Sequence, residues 1–300
     1  MKASDIFRQY TWLAETIYRS GGITLKELNE RWVRTTMSGG QPMLRQTFNE
    51  HRKAIENMFG ISIRCQRGAN TYYIEDSELL KQGSFQSWML DSLSINTLLM
   101  DSGSLKNRLL MEHIPAGKEH FQTILRAMKS GHKLRLTYRK FGAAQPDTLV
   151  VEPYAIKVFH QRWYLLAKNY KRDTPSVYAL DRMEGLHETA DRFDLPDGFR
   201  AEEYFRDCYG VLRPPKVKPQ RIVIRAYYPY AHYLRTLPLH PSQQELSSAE
   251  GYVDFEFYLL PTFDFLQELL AQGKEVEVLK PASLRKEMHT MLLDVLGRYE

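Results

Sequence analysis

Between residues 131 and 172 the chain places nine cationic side chains, Lys133, Arg135, Arg139, Lys140, Lys157, Arg162, Lys168, Lys171 and Arg172, against two acids, Asp147 and Glu152. Tyr138, Tyr154, Phe159, Trp163 and Tyr164 are interleaved with them. Guanidinium groups bind phosphate in bidentate fashion and aromatic faces stack bases, so the mixture suits single-stranded nucleic acid or a nucleotide. Strand alternation puts Arg162 and Tyr164 on one face and Trp163 and Leu165 on the other, with Trp163 assigned to the core. The candidate ligand-binding residues are Arg139, Tyr154, Arg162, Tyr164 and Arg182, with Tyr138, Lys157 and His160 as secondary members. Asp181 either touches the ligand or orients Arg182 through an ion pair. The plain alternative for the whole set is a solvated basic surface, or a basic patch that touches the same DNA as an upstream helix.

A second constellation lies further upstream. Arg45, Gln46, Asn49, Arg52 and Lys53 recur at helical spacing opposite an apolar stripe of Leu44, Phe48, Ile55 and Met58. Arg pairs with guanine, Asn or Gln pairs with adenine, and the cations neutralise phosphates, so this face has the chemistry to read duplex DNA. Arg64, Arg67 and Asn70, on a following hairpin, would lie at the DNA backbone or minor groove. A solvated helix face is the simpler alternative.

The elements that must position these groups follow from periodicity. Ile6, Tyr10, Leu13 and Ile17 line one face of a first helix that Gly21-Gly22 ends. Thr24 and Glu27 form a capping box, with Ile23 stapled to Leu28, and start a short helix through Trp32 and Val33. Pro42 suits the first turn of the third helix, which Gly60 stops. Strands are expected at 61–64 and 71–74. Residues 77–117 read as helical linker, and a helix is expected over 119–129. Leu134, Leu136 and Tyr138 then alternate with Lys133, Arg135, Thr137 and Arg139, and further strands fit 148–158, 162–168 and 176–183, which together suggest a small barrel. Pro214, Pro215 and Pro219 mark a boundary. Beyond it the pattern predicts strands around Ile222 and Val253–Leu259, helices near 228–236 and 262–271, a strand at 275–279 and a helix from Ser283 to Leu296.

Composition agrees with two or three globular domains in 300 residues, 43% hydrophobic and 26% charged. The net charge of +5 is uneven: residues 118–188 hold 13 Lys and Arg against 7 acids, while residues 189–300 hold 14 against 17. Neither a signal peptide nor a run of ~18 apolar residues is present, and Cys65 and Cys208 are isolated, so a cytoplasmic protein with no membrane partner is expected. No glycine-rich phosphate loop, His-Glu-x-x-His string or nucleophile elbow occurs. No catalytic, metal or cofactor site is assigned, and the expectation is a binding protein rather than an enzyme. A nuclease assembled from scattered acids is the remoter alternative.

One ordered set of residues is more specific than any of this. Tyr138-Arg139, Pro153-Tyr154, Trp163-Tyr164-Leu165 and Leu180-Asp181-Arg182 occur in that sequence, and the set resembles the WYL domain, named for the tripeptide. The resemblance extends along most of the chain, because WYL-domain transcription regulators commonly place a winged helix-turn-helix before this domain and a WYL C-terminal extension after it. It implies a multidomain α+β chain: a winged helix-turn-helix at 1–76, a helical linker at 77–117, an Sm-like or SH3-like β-barrel WYL domain at 118–213, and an α+β extension at 214–300. It further implies a homodimeric bacterial regulator, such as a repressor, of DNA-damage or phage-defence genes. Operator duplex DNA and an anionic ligand, single-stranded nucleic acid or a nucleotide, are the implied partners. An accessory single-stranded nucleic-acid-binding effector is the other functional reading. The spacer between helices two and three exceeds that of a tight helix-turn-helix.

Overall fold

The apolar face of the first helix forms as its spacing requires: α1 (Ala3–Ser20) buries Leu13, Ala14 and Ile17 and ends where Gly21 adopts a φ of 63°. The computed structural model describes residues 3–66, 68–80, 88, 89, 92, 118–172 and 174–300. These build a mixed α+β chain with three separate antiparallel sheets, in two units, Met1–Met111 and Glu112–Glu300.

In the first unit, β1 (Ile23–Thr24) leads into α2 (Leu25–Trp32). The capping box is complete. Thr24 Oγ1 accepts the Glu27 N–H at 3.2 Å, and Glu27 Oε2 accepts the Thr24 N–H at 2.9 Å. Ile23 and Leu28 enter the same core. The third helix, α3 (Arg45–Phe59), starts three residues later than Pro42 suggested. The cause is Asn29, whose carboxamide clasps Met43: the Met43 N–H donates to Oδ1 at 2.7 Å and Nδ2 donates to the Met43 carbonyl at 3.1 Å. Met43 is thereby drawn into the core, and Leu44 becomes an extended N-cap residue that is 70% exposed. The buried face of α3 is therefore Phe48, His51, Ile55 and Phe59, without Leu44. β2 (Ile63–Gln66) and β3 (Thr71–Ile74) follow as a hairpin, and the sheet order is β1-β3-β2. Almost all of the linker expected at 77–117 lies outside the described residues.

The second unit begins with α4 (Lys118–Ser130), which packs on a five-stranded sheet of β4 (His132–Tyr138), β5 (Asp147–Phe159), β6 (Arg162–Asn169), β7 (Ser176–Ala179) and β8 (Met183–Arg192). Leu134, Leu136 and Tyr138 are buried while Arg135 and Arg139 are exposed, the alternation read from the sequence. The strand pattern suggests a small barrel, and among the described residues the strands do not close into one. The order is β7-β6-β5-β4-β8, and no ladder joins β7 to β8 among the described residues. Instead of closing, the sheet deforms at β5, where Pro153 lacks an N–H and the register to β6 shifts between Pro153 and Ala155. Val151 and Ile156 then serve the core under α4, whereas Tyr154 and Ala155 join Leu166 in a second, smaller core against Phe193, Phe199 and Tyr204. The strand expected at 176–183 is interrupted by a 3-10 turn, Leu180–Arg182.

A connector containing α5 (Ala201–Phe205) leads to β9 (Gln220–Tyr227), α6 (Tyr230–Thr236), β10 (Gln244–Ala249), β11 (Tyr252–Leu259), α7 (Phe263–Ala271), β12 (Val276–Lys280) and α8 (Ala282–Leu296). The sheet order is β10-β11-β9-β12, a βαββαβ arrangement with Ile222, Ile224, Val253, Phe255 and Phe257 in its core with α6, α7 and α8. Connector and sheets are tied together. Lys157 Nζ donates to the Gly210 carbonyl at 2.5 Å, and the Asp264 carboxylate accepts the N–H groups of Val211 and Leu212 at 3.0 and 3.3 Å. A Cβ on Gly210 would overlap that carboxylate, so the approach depends on glycine.

The placement of α3 gives a direct test. Phe48→Ala should cost about 3–5 kcal/mol in denaturant unfolding, and Leu44→Ala less than about 0.5 kcal/mol. Equal losses would return Leu44 to the core.

Candidate nucleic-acid and ligand surfaces

On α3 the residues opposite the core form a polar face. Arg45, Gln46 and Lys53 are exposed, and Asn49 and Arg52 are half-buried. Gln46 Nε2 donates to Glu50 Oε1 at 3.1 Å, and the buried Nε of Arg52 has no hydrogen-bond partner among the described residues. Between them His51 turns inward, edge-on to Tyr10 at 5.1 Å, and burial lowers its pKa. In the hairpin Arg64 Nε donates to Glu75 Oε2 at 2.8 Å, which raises the Arg64 pKa. Asn70 sits in the left-handed region with φ 53° and is exposed, and Arg67 lies outside the described residues.

In the second unit the eight candidate ligand residues divide. Arg139 and Arg182 lock reciprocally at the end of β4: the Arg139 N–H donates to the Arg182 carbonyl at 3.1 Å, and Arg182 Nε donates to the Arg139 carbonyl at 3.0 Å. Arg139 is also paired with Glu184 and donates through Nη1 to the Ala144 carbonyl at 3.0 Å. Arg162 lies 3.4 Å from Asp181, so that carboxylate is held by Arg162 and not by Arg182. Tyr164 pairs across the sheet with Lys157 on one side and Ala179 on the other, and it is half-buried.

The remaining four candidates are engaged differently, although the Tyr138 ring lies 4.8 Å from the Arg182 guanidinium carbon. Tyr138 is buried, its hydroxyl accepts the Ala179 N–H at 3.3 Å, and burial raises its pKa. Tyr154 is buried in the smaller core; burial first, and its hydrogen bond to Glu152 second, push its pKa up to about 12. Lys157 is turned onto the connector, over the Phe205 ring at 4.5 Å, and burial lowers its pKa. His160 is exposed at a tight turn with φ 45°, beside Phe159. Trp163 packs against the core, edge-on to Phe121 at 4.8 Å. One aromatic escaped sequence reasoning: Phe141, 77% exposed in the β4–β5 loop, with the Arg182 guanidinium 3.8 Å from its ring centroid. The signal available was its place between Arg139-Lys140 and Gly142.

A hydroxyl, an imidazole and a carboxylate also meet nearby. Ser130 Oγ lies 3.1 Å and Glu188 Oε1 2.7 Å from the same His132 nitrogen, Nδ1. A relay would need the hydroxyl and the carboxylate on opposite ring nitrogens, so the trio, with Arg126 2.8 Å from Glu188, works as a tie between α4 and the sheet.

Residues 119–188 match the WYL domain and residues 218–296 match the WCX domain. The chain is a WYL-domain protein. Its WYL domain comprises α4 and most of the five-stranded sheet, and its WCX domain is the βαββαβ module with α8. Among solved structures it is similar to proteasome accessory factor B/C (PafBC) of Arthrobacter aurescens, at 18% identity and a TM-score of 0.34, over 96% of this chain and 46% of that one. The chain thus spans less than half the length of that neighbour. It is also similar to a CRISPR Cas-related protein, at 12% identity and a TM-score of 0.41, over 86% of this chain and 74% of that one. No curated protein sequence matches it. No helix among the described residues is long and apolar enough to cross a membrane.

Within the WYL domain, hydrogen bonds from His132, Ser130 and Arg126 hold the Glu188 carboxyl at about 2, below its usual 4.5. A depressed carboxyl contributes stability that is complete above the usual value and is lost as pH falls from there towards the folded one. Glu188→Gln should therefore lower Tm at neutral pH, and the gap to wild type should close between about pH 4.5 and 2. A gap independent of pH would show that the carboxylate charge is not what ties α4 down.

Proposed function

We propose that this chain is a transcription regulator that binds duplex DNA through a winged helix in residues 1–76 and an anionic nucleic-acid fragment or nucleotide through its WYL domain. The observation that carries the reading is the pairing of a WYL and a WCX domain with an upstream three-helix and hairpin unit whose third helix turns Arg45, Gln46 and Lys53 to solvent. In this reading α3 enters the major groove, where its first residues meet base edges, and the β2–β3 hairpin is the wing along the backbone. The middle sheet is a bent, incompletely closed relative of the Sm-like barrel, and the domain limits fall at 76, 118 and 214. The protein acts as a homodimer in the cytoplasm, as a repressor of genes for phage defence or the DNA-damage response.

The ligand surface is the Arg139, Arg162, Tyr164 and Arg182 end of the WYL sheet. An anionic ligand competes with Glu184 for Arg139 and with Asp181 for Arg162, exchanging internal ion pairs for ligand contacts. Lys157, on the same sheet face as Tyr164, joins that surface to the connector, and the connector joins it to Asp264 of the WCX domain. Ligand binding thus biases the arrangement of the dimer, and a coupling of about 1–3 kcal/mol changes DNA affinity roughly 5- to 150-fold.

Selection from a random duplex library, followed by footprinting, should give a site with two symmetric half-sites. On that duplex Arg45→Ala should cost about 1–3 kcal/mol if the arginine reads guanine, and Lys53→Ala should weaken binding and flatten its salt dependence. Arg45 and Lys53 are the clean choices, since the buried Arg52 Nε mixes packing with contact. Binding unchanged by both substitutions would remove α3 from the interface. Preference for single strands over any duplex would instead support the effector reading.

A further inference from the structure

Four cations gather at the end of β4 and around the 3-10 turn, and three of them are neutralised. Arg139 has Glu184, Lys140 has Asp147 at 2.6 Å and Arg162 has Asp181. Arg182 alone of the four has no carboxylate partner among the described residues. Its guanidinium carbon lies over two aromatic rings, 3.8 Å from the Phe141 centroid and 4.8 Å from the Tyr138 centroid, and among the described residues only its Nε is hydrogen-bonded, to the Arg139 carbonyl. Tyr138 is buried in the core and its hydroxyl accepts the Ala179 N–H. Phe141 belongs to no buried core among the described residues.

Phe141 is held by the loop rather than by packing. The Ala143 N–H donates to the Lys140 carbonyl at 3.1 Å, Arg139 Nη1 donates to the Ala144 carbonyl, and Gly142 supplies a φ of 73° that lets the chain turn immediately after the ring. A single exposed apolar side chain is ordinary on a protein surface. A ring that is 77% exposed and seated on a guanidinium without a carboxylate partner among the described residues is a different object, because the cation takes one face and most of the ring stays open to solvent. The chemistry that completes it is a flat π surface joined to an anion: the flat group stacks on the open face of Phe141, and the anion takes the free N–H groups of Arg182 beneath.

We propose that Phe141 is the base-stacking platform of the WYL ligand site, and that the site takes a nucleotide unit, base together with phosphate, rather than a bare anion. This rests on the WYL domain being the domain that binds a nucleic-acid fragment or nucleotide, and adds to it the residue on which the base stacks. Stacking tolerates every base, so the site reads the presence of a base and not its identity. The same unit is available in a free mononucleotide and in a strand, and the probes below separate the two.

The test is fluorescence anisotropy of the full-length protein with a labelled oligothymidylate of about eight nucleotides, a strand of the same length made of abasic sites, and competition by thymidine monophosphate and inorganic phosphate. The wild type should prefer the oligothymidylate to the abasic strand by about 5- to 150-fold, the worth of one stacked base. Phe141→Ala should erase that preference while binding the abasic strand as before, and Phe141→Trp should restore it. Arg182→Ala should weaken both strands. Thymidine monophosphate competing as well as the strand would assign the site to free nucleotides, and competition by the strand alone would assign it to single-stranded nucleic acid; either supports the proposal. Equal affinity of the wild type for based and abasic strands, or a preference that survives Phe141→Ala, would overturn the platform while leaving the ligand domain in place. Indifference of all probes to Arg182→Ala, or no binding at all, would overturn the ligand site itself.

Discussion

The register shift in β5 is the constraint on which most of the second unit depends. Pro153 cannot donate to the ladder, the pairing with β6 slips by one residue before Ala155, and the side chains beyond that point exchange faces. One strand of thirteen residues thereby serves two cores, Val151 and Ile156 under α4 and Tyr154 and Ala155 under the connector. The five strands keep an open order among the described residues. Lys157 is delivered to the connector as a consequence of the slip, and Tyr154 is taken away from the arginines that its proximity in sequence seemed to join it to. The proposed ligand surface is thereby reduced to Arg139, Arg162, Tyr164 and Arg182, fewer residues than the linear sequence implies.

Much of this fold was legible because it is periodic. The capping box at Thr24 and Glu27, the alternation of Leu134, Leu136 and Tyr138, and the strand–helix order beyond Pro219 are local patterns, and the structure carries each of them. What escaped depended on partners distant in sequence. Leu44 has the spacing of a core residue, yet Asn29, fifteen positions earlier, captures Met43 and leaves Leu44 outside. β8 was not anticipated because it buries only Met183 and Leu186 and is otherwise polar, and β10 because all six of its residues are exposed. Edge strands are specified by the neighbour they pair with, so their own pattern is weak.

The candidate site was legible by type and not by arrangement. Basic and aromatic residues can be counted along a chain, but the count does not say which cations are already neutralised. Asp181 illustrates the difference: adjacency suggested Arg182 as its partner, and the fold gives it Arg162 across the sheet. That exchange leaves Arg182 as the cation without a carboxylate among the described residues of the cluster. It also makes Phe141, a lone phenylalanine in a polar loop beside Arg182, a stronger candidate for the proposed site than the buried Tyr154. Arg139 and Arg162 are paired with Glu184 and Asp181, so the proposed ligand binding would be an exchange of ion pairs rather than a simple gain of charge contacts.

If the two activities belong to one regulator, they must be linked, and linkage is reciprocal. The decisive measurement is therefore the affinity of the WYL domain for a short oligonucleotide in the full-length protein, with and without saturating duplex from the selected site. The oligonucleotide affinity should change with duplex bound by the same factor, roughly 5- to 150-fold, by which the oligonucleotide changes duplex affinity. Identical oligonucleotide affinity in the presence and absence of bound duplex would contradict the account, leaving a DNA-binding unit and a ligand-binding domain that share a chain without sharing a function.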